Sequence, residues 1–291
     1  MDEYTELISD NNSNLSKDEM PQWVTSNEFI IGGYRRINED IKFYFKSIFR
    51  LHNETLNIWT HLLGSILYIY IIIFTNLDLN LMNFTSQMLI MNLYVISSFC
   101  TYCFSTIMHI FYPISENVCK KLQKLDYLGI SLQISTSMQV FIYFSYFCDK
   151  YLLVLYSLVI GLLNLICLFV IVNDHFTQDK YKNLKVTCFI AQACLFLIPL
   201  GHRVLLYDNT VYDQILKRES GYFFLGFILF ILCIVFYLGL IPERYYPGKL
   251  DIFGHSHQIF HVLSVLGSLF VYLGLKKIMD EENTSKCAIK I

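Results

Sequence analysis

Polar residues crowd the start of the chain and then largely withdraw from it. Residues 1–27 are rich in Asp, Asn, Ser and Glu, a composition too poor in apolar surface to fold, and are expected to form a disordered cytosolic tail. From Asn27 the pattern changes to NEFIIGGYRRINEDIKFYFKSIFRLHNET. Ile37, Ile41, Tyr44, Phe45 and Ile48 recur there at helical spacing, with Glu39, Asp40, Lys42 and Lys46 on the remaining face. Residues 28–55 therefore predict an amphipathic helix lying at a membrane surface. Seven apolar segments follow at 56–76, 87–112, 125–147, 151–173, 186–206, 220–241 and 253–275, each near the ~20 residues that span a bilayer core. The third is richer in Ser and Gln and reads as a helix enclosed by the others. Pro113 and Pro242 stand where the second and sixth segments should stop, and Pro199 should kink the fifth. The pattern predicts an all-α integral membrane protein with a seven-helix domain over 56–275 and a short outer tail over 276–291.

Composition agrees with that class. The 291 residues are 55% hydrophobic and 16% charged, against about 25% charged in soluble domains. A net charge of −2 with no basic patch gives no footprint for nucleic acid. Most of the nine cysteines fall in apolar segments, so no disulfide framework is expected, and the CxxC pair Cys100 and Cys103 reads as packing. The polar first twenty residues are unlike a cleavable signal peptide. Lysines and arginines number six in the N-terminal region and three, three and two in the second, fourth and sixth loops, against eight on the opposite side. That bias places the N-terminus in the cytosol, in the plasma membrane or endoplasmic reticulum, with the sequons at Asn83 and Asn283 facing outward.

The chemistry gathers on the last apolar segment, FGHSHQIFHVLSVLGSLFVY from Phe253 to Tyr272. His257 and His261 are four apart and share one helical face. Taken alone, such a pair is as readily an interfacial cluster or a pair of hydrogen-bonded core polars. The topology supplies partners. The second segment ends at the same depth with Ser105 and His109, again four apart, and the third opens with Asp126 in KLDYLGISLQ. Three histidines, an aspartate and a serine thus converge from three helices. Imidazole suits zinc, and three ligands with an open fourth position are the arrangement of a catalytic site. A zinc-bound water would then be activated near neutral pH, with Asp126 as proton acceptor and Ser105 as hydrogen-bond partner. Within a bilayer the substrate would be lipid-like, with a scissile amide or ester at headgroup depth. His61 reads as a packing or supporting residue and His255 as interfacial, while His52, His175 and His202 fall in loops or at helix ends. Glu54 and Asn57 read as loop ties, and IPERYYPGK as a rigid loop positioning the last helix.

HNETLNIWTHLLG, STIMH followed by LDYLGI, and IPERYYPGKLDIFGHSHQIFH occur in order with the seven segments. Together they resemble the progestin and adiponectin receptor family, most nearly the adiponectin receptors and their fungal, zinc-homeostasis-linked counterparts, with haemolysin III proteins more distant. The likeness covers about residues 27–275. It implies a zinc ion held by His109, His257 and His261, a zinc-bound water near Asp126 with Ser105 adjacent, and a cytosolic N-terminus. It also implies ceramidase-type hydrolysis of a lipid amide, with a fatty acid or ceramide-like ligand. The short N-terminal region and small outer loops depart from the pattern and argue against a protein hormone ligand. Two functions stand beside one another: a zinc hydrolase, or a receptor in which zinc clamps the helices. Zinc transport fits less well, because the polar residues cluster at one face.

Overall fold

The computed structural model describes residues 14–77, 86–177, 181–206 and 211–282. Its α-helices run in the order α1 (Ile41–Ser47), α2 (Thr55–Leu77), α3 (Ser86–Phe111), α4 (Glu116–Tyr146), α5 (Lys150–Val172), α6 (Lys182–Leu195), α7 (Leu197–Leu206), α8 (Val211–Gly239) and α9 (Ser256–Glu282). Among the described residues there is no strand beyond an isolated antiparallel bridge between Leu15 and Tyr34. Both sequons lie outside the described residues.

Among the described residues, six helical stretches are long and apolar enough to cross a membrane: Thr55–Phe74, Ser86–Ile114, Lys150–Val172, Leu184–Arg203, Gly221–Gly239 and Ser256–Met279. The exception among the expected seven is α4, which is too polar to qualify. It begins nine residues earlier than the apolar pattern and carries Lys120, Lys121, Lys124, Asp126, Gln133 and Gln139. Fourteen of its 31 residues are buried. Two of its polar side chains find partners on α5. Ser131 donates to Asn164 Oδ1 at 3.0 Å, and Gln139 donates to the Ser157 carbonyl at 3.1 Å.

Proline punctuates the bundle much as its chemistry requires. Pro113 sits in the short 3-10 turn that follows α3. Pro199 does more than kink the fifth segment. It has no N–H to donate, and its ring crowds the carbonyl four residues back, that of Leu195. The helix accordingly ends at Leu195 and restarts as α7 at Leu197.

The ends of the chain differ from expectation. Only residues from Asn14 bear on the predicted disordered tail, and these are folded. Leu15 and Tyr34 exchange backbone hydrogen bonds at 2.8 and 3.1 Å, and Met20 and Val24 are buried with Ile30, Tyr34, Tyr112 and Cys119. Those few apolar side chains suffice because the segment lies on an existing helical surface. The predicted amphipathic helix over 28–55 shrinks to the seven residues of α1. Its start is fixed by Asp40, whose carboxylate accepts from the Lys42 N–H at 2.9 Å. At the far end α9 continues to Glu282, through part of the expected outer tail. One cysteine also departs from the reading: Cys148, in the connection between α4 and α5, is disulfide-bonded, whereas Cys100 and Cys103 are free.

Without water to expel between them, helices in lipid associate through close packing and hydrogen bonds. Both devices join α3 to its neighbours. The Tyr94 hydroxyl donates to the Ser268 carbonyl at 2.6 Å, and the Tyr102 hydroxyl donates to the Ser264 carbonyl at 2.9 Å, tying α3 to α9. On the other flank, Thr101 donates to the Gly129 carbonyl at 2.9 Å, and a Cβ built on Gly129 would stand 2.9 Å from the Thr101 Cα. Only glycine allows that approach. Gly129→Ala should therefore push α4 from α3 at a cost of about 1–3 kcal/mol, read as a lower melting temperature of the detergent-solubilised protein. An unchanged melting temperature would contradict the close packing.

The loop before α2 holds a buried histidine in one tautomer. The Glu54 N–H donates to His52 Nδ1 at 3.1 Å, so Nε2 carries the proton that meets the Ser47 carbonyl at 3.1 Å. Burial, then the Arg35 charge, push this imidazole down to about 3. A folded-state value below the unfolded one means its stabilising contribution is complete above about pH 6.5 and is lost as pH falls toward 3. His52→Gln should flatten that limb of a melting-temperature profile. A profile with the same slope in the variant would assign the acid sensitivity elsewhere.

Candidate metal centre

The C-terminal turn of α3, the first turns of α2 and α9, and the first third of α4 meet at one end of the bundle. His109, His257 and His261 each present a ring nitrogen there, all within 4.8 Å of one another. His109 and His261 are buried, while His257 is partly accessible. The helical spacing that puts His257 above His261 holds: their ring centroids are 4.7 Å apart.

The surroundings settle which ring nitrogens are available. His109 Nδ1 lies 2.6 Å from Glu54 Oε2, and His261 Nδ1 lies 3.1 Å from the Asn57 carbonyl oxygen. A carbonyl accepts and does not donate, so His261 carries its proton on Nδ1 and keeps a lone pair on Nε2. A carboxylate acts likewise on His109. The Nε2 of His109 in turn faces His257 Nε2 at 3.3 Å. Ligand nitrogens about 2.0–2.1 Å from a tetrahedral zinc stand about 3.3 Å apart, so this pair has the separation that one ion requires. The donor set is all imidazole, which suits zinc. These residues fit the metal.

Asp126 is buried on α4, within electrostatic reach of His109. Ser105 is buried one turn before His109 on α3. The structure thus brings the three histidines singled out from the sequence together, with Ser105 and Asp126 on the helices beside them. His61, read there as a packing residue, stacks on His261 with centroids 3.5 Å apart and planes 4° from parallel. Its Nε2 meets Ser264 Oγ at 3.2 Å. His255 is buried rather than interfacial, with Nε2 3.2 Å from the Asn53 carbonyl. His202 contacts Tyr156 and His175 contacts Tyr181, both away from the centre.

Some participants were not found by sequence reasoning. Glu54, read as a loop tie, is the direct partner of a site histidine. Tyr237 of α8 packs on His257 with ring centroids 6.0 Å apart and on Phe260 with centroids 5.5 Å apart. The rigid loop IPERYYPGK does position α9, through Glu243. That buried carboxylate accepts from the Ser256 N–H at 2.7 Å, from the Ser256 hydroxyl, and from Asn27 Nδ2 at 3.0 Å. Asp251 takes the N–H groups of Ile31 and Gly32 at 3.1 and 2.7 Å, so the N-terminal segment and this loop are stitched together beside the centre.

Comparison with known proteins places this arrangement. A family described as haemolysin-III related matches residues 49–272. The chain is 30% identical over 273 residues to the adiponectin receptor protein of Drosophila melanogaster, covering 94% of this chain and 61% of the relative. It is 28% identical to the progestin and adipoQ receptor-like protein 1 of Caenorhabditis elegans, over 95% of this chain and 63% of the relative. The ADIPOR-like receptor IZH2 of Saccharomyces cerevisiae is 30% identical over 263 residues, 89% of this chain and 82% of the relative. The chain therefore spans under two thirds of the first two relatives and most of the third. A match through every helix of the histidine centre, with relatives aligned over nearly the whole chain, makes this protein a member of the haemolysin-III-related family, in its progestin and adipoQ receptor branch.

Proposed function

We propose that this chain is a zinc-dependent intramembrane hydrolase of lipid amides, of ceramidase type. The observation that carries the reading is the convergence of three histidine ring nitrogens whose separation suits one metal ion, with the buried carboxylate Asp126 on the neighbouring α4. Held by His109, His257 and His261, a zinc ion supplies Lewis acidity and lowers the pKa of water toward neutrality. Asp126 then accepts the proton of the attacking water and returns it to the departing amine, so that amide and water yield a free fatty acid and a sphingoid-type amine. Ser105, one turn before His109 on α3, offers a hydroxyl to the reacting groups. Tyr237 and Tyr127 close the side toward α8. The partly accessible His257 leaves an approach for substrate.

In this reading α4 is the seventh crossing, enclosed by the other six, and the N-terminus is cytosolic. The lysine and arginine bias supports that orientation. So does the disulfide at Cys148, which follows the end of α4 opposite the histidines and calls for an oxidising compartment. The exposed Ile41 and Phe45 of α1, with Lys42 and Lys46, suit the lipid–water boundary on the cytosolic side.

The purified protein, supplied with a panel of ceramides in detergent, should release fatty acid when zinc-loaded and stop when stripped by a chelator. Equal release in both states would sink the enzyme reading. The receptor names of the relatives favour a second reading, a signalling receptor whose zinc is structural. Ligand-dependent signalling that persists without turnover would select it.

A further inference from the structure

The N-terminal end of α2, with Glu54 just before it, has a task that a loop tie does not explain. Glu54 Oε2 lies 2.6 Å from His109 Nδ1, and three residues on the Asn57 carbonyl lies 3.1 Å from His261 Nδ1. The two residues are themselves joined, Asn57 Nδ2 donating to Glu54 Oε2 at 2.7 Å, and the Tyr112 hydroxyl donates to Oε1 at 3.2 Å. The backbone of His109 is held independently. The buried Arg35 donates to the His109 carbonyl at 2.6 Å and to the Ile110 carbonyl at 3.0 Å, a cation at a helix C-terminus where the dipole favours one. Arg35 therefore fixes where the ring is carried, and Glu54 fixes how it is turned.

We infer that Glu54 is the positioning residue of the metal centre: it locks His109 as the Nδ1–H tautomer and aims its Nε2 lone pair at the ion. With Asn57 serving His261, this end of α2 preorganises two of the three ligands. A carboxylate makes the first a stronger donor than the second, because a charged acceptor polarises the ring more than a carbonyl does. A half-buried carboxylate facing a buried imidazole is more than a helix–helix tie requires, whereas oriented histidine ligands commonly rest on such a partner. This inference rests on reading the three histidines as a metal site.

The test is zinc affinity of the purified full-length protein, measured by competition with a chromophoric chelator, for wild type, Glu54→Gln, Glu54→Ala and His257→Ala. Glu54→Gln keeps the shape and the neutral hydrogen bonds while removing the charge. It should weaken zinc binding about 10- to 100-fold, with Glu54→Ala at least as weak. The melting temperature of metal-free Glu54→Gln should match wild type, and its cobalt-loaded spectrum should shift. Wild-type zinc affinity in Glu54→Gln, or an affinity unchanged alongside a lowered metal-free melting temperature, overturns the inference in favour of a structural tie. Should Glu54→Ala fail to fold, the near-isosteric Gln variant decides alone. Absence of zinc binding in wild type, equal to His257→Ala, would remove the metal reading beneath it.

Discussion

Replacing Asp126 with Asn is expected to lower amide hydrolysis by roughly 10²–10⁴-fold, the usual worth of a positioned general base, while bound zinc stays at the wild-type level. The side chains are nearly the same size, so the buried pocket between α3 and α4 does not have to repack. What Asn cannot do is accept a proton. Asp126 is not among the three residues whose ring nitrogens converge, so its loss should leave the metal in place. Fatty acid release and zinc content, measured on the same preparation, therefore separate the two roles. Hydrolysis at the wild-type rate in a zinc-loaded Asp126→Asn protein would exclude this carboxylate from the chemistry. Ligand-dependent signalling surviving in the same variant would move the argument to the receptor reading.

Helix positions were legible because lipid imposes a length and an apolar composition on anything that crosses it. The starts of α2, α3 and α5 fall within about a residue of the hydropathy pattern for that reason. The same rule misplaces the start of α4, whose first turns carry the exposed Lys120 and Lys121 before the apolar run begins. It also hides the break between α6 and α7, where Pro199 competes with an otherwise continuous apolar run. The three site histidines were legible because two share a helical face and the third lies at the depth the topology gives it. Glu54 was not. Its partner His109 is 55 residues away, and no local spacing distinguishes an acid that orients a ligand from one that ties a loop. The folded segment from Asn14 was hidden differently: its composition is polar, and only contact with Tyr34, Tyr112 and Cys119 gives Met20 and Val24 somewhere to go. Surfaces supplied by distant helices leave little trace in a local pattern.

His261→Ala should reduce bound zinc from about one ion per chain to nearly none, since a tetrahedral site left with two protein ligands loses most of its affinity. Its effect on heat stability should depend on metal. A ligand present at about 1,000 times its dissociation constant adds about 4 kcal/mol to wild-type stability, so zinc should raise the wild-type melting temperature and leave the variant's unchanged. The comparison that makes this decisive is His61→Gln. His61 stacks flat on His261, 3.5 Å away, and is equally buried. By residue type and burial the two are indistinguishable. Geometry separates them: His261 contributes a nitrogen to the converging group, whereas His61 is held through Nε2 by Ser264. The protein carrying His61→Gln should therefore keep nearly all its zinc and still be stabilised by it. If His61→Gln loses as much zinc as His261→Ala, the ion is held by a different set of rings, and the tautomer argument for Glu54 and Asn57 has to be rebuilt around it.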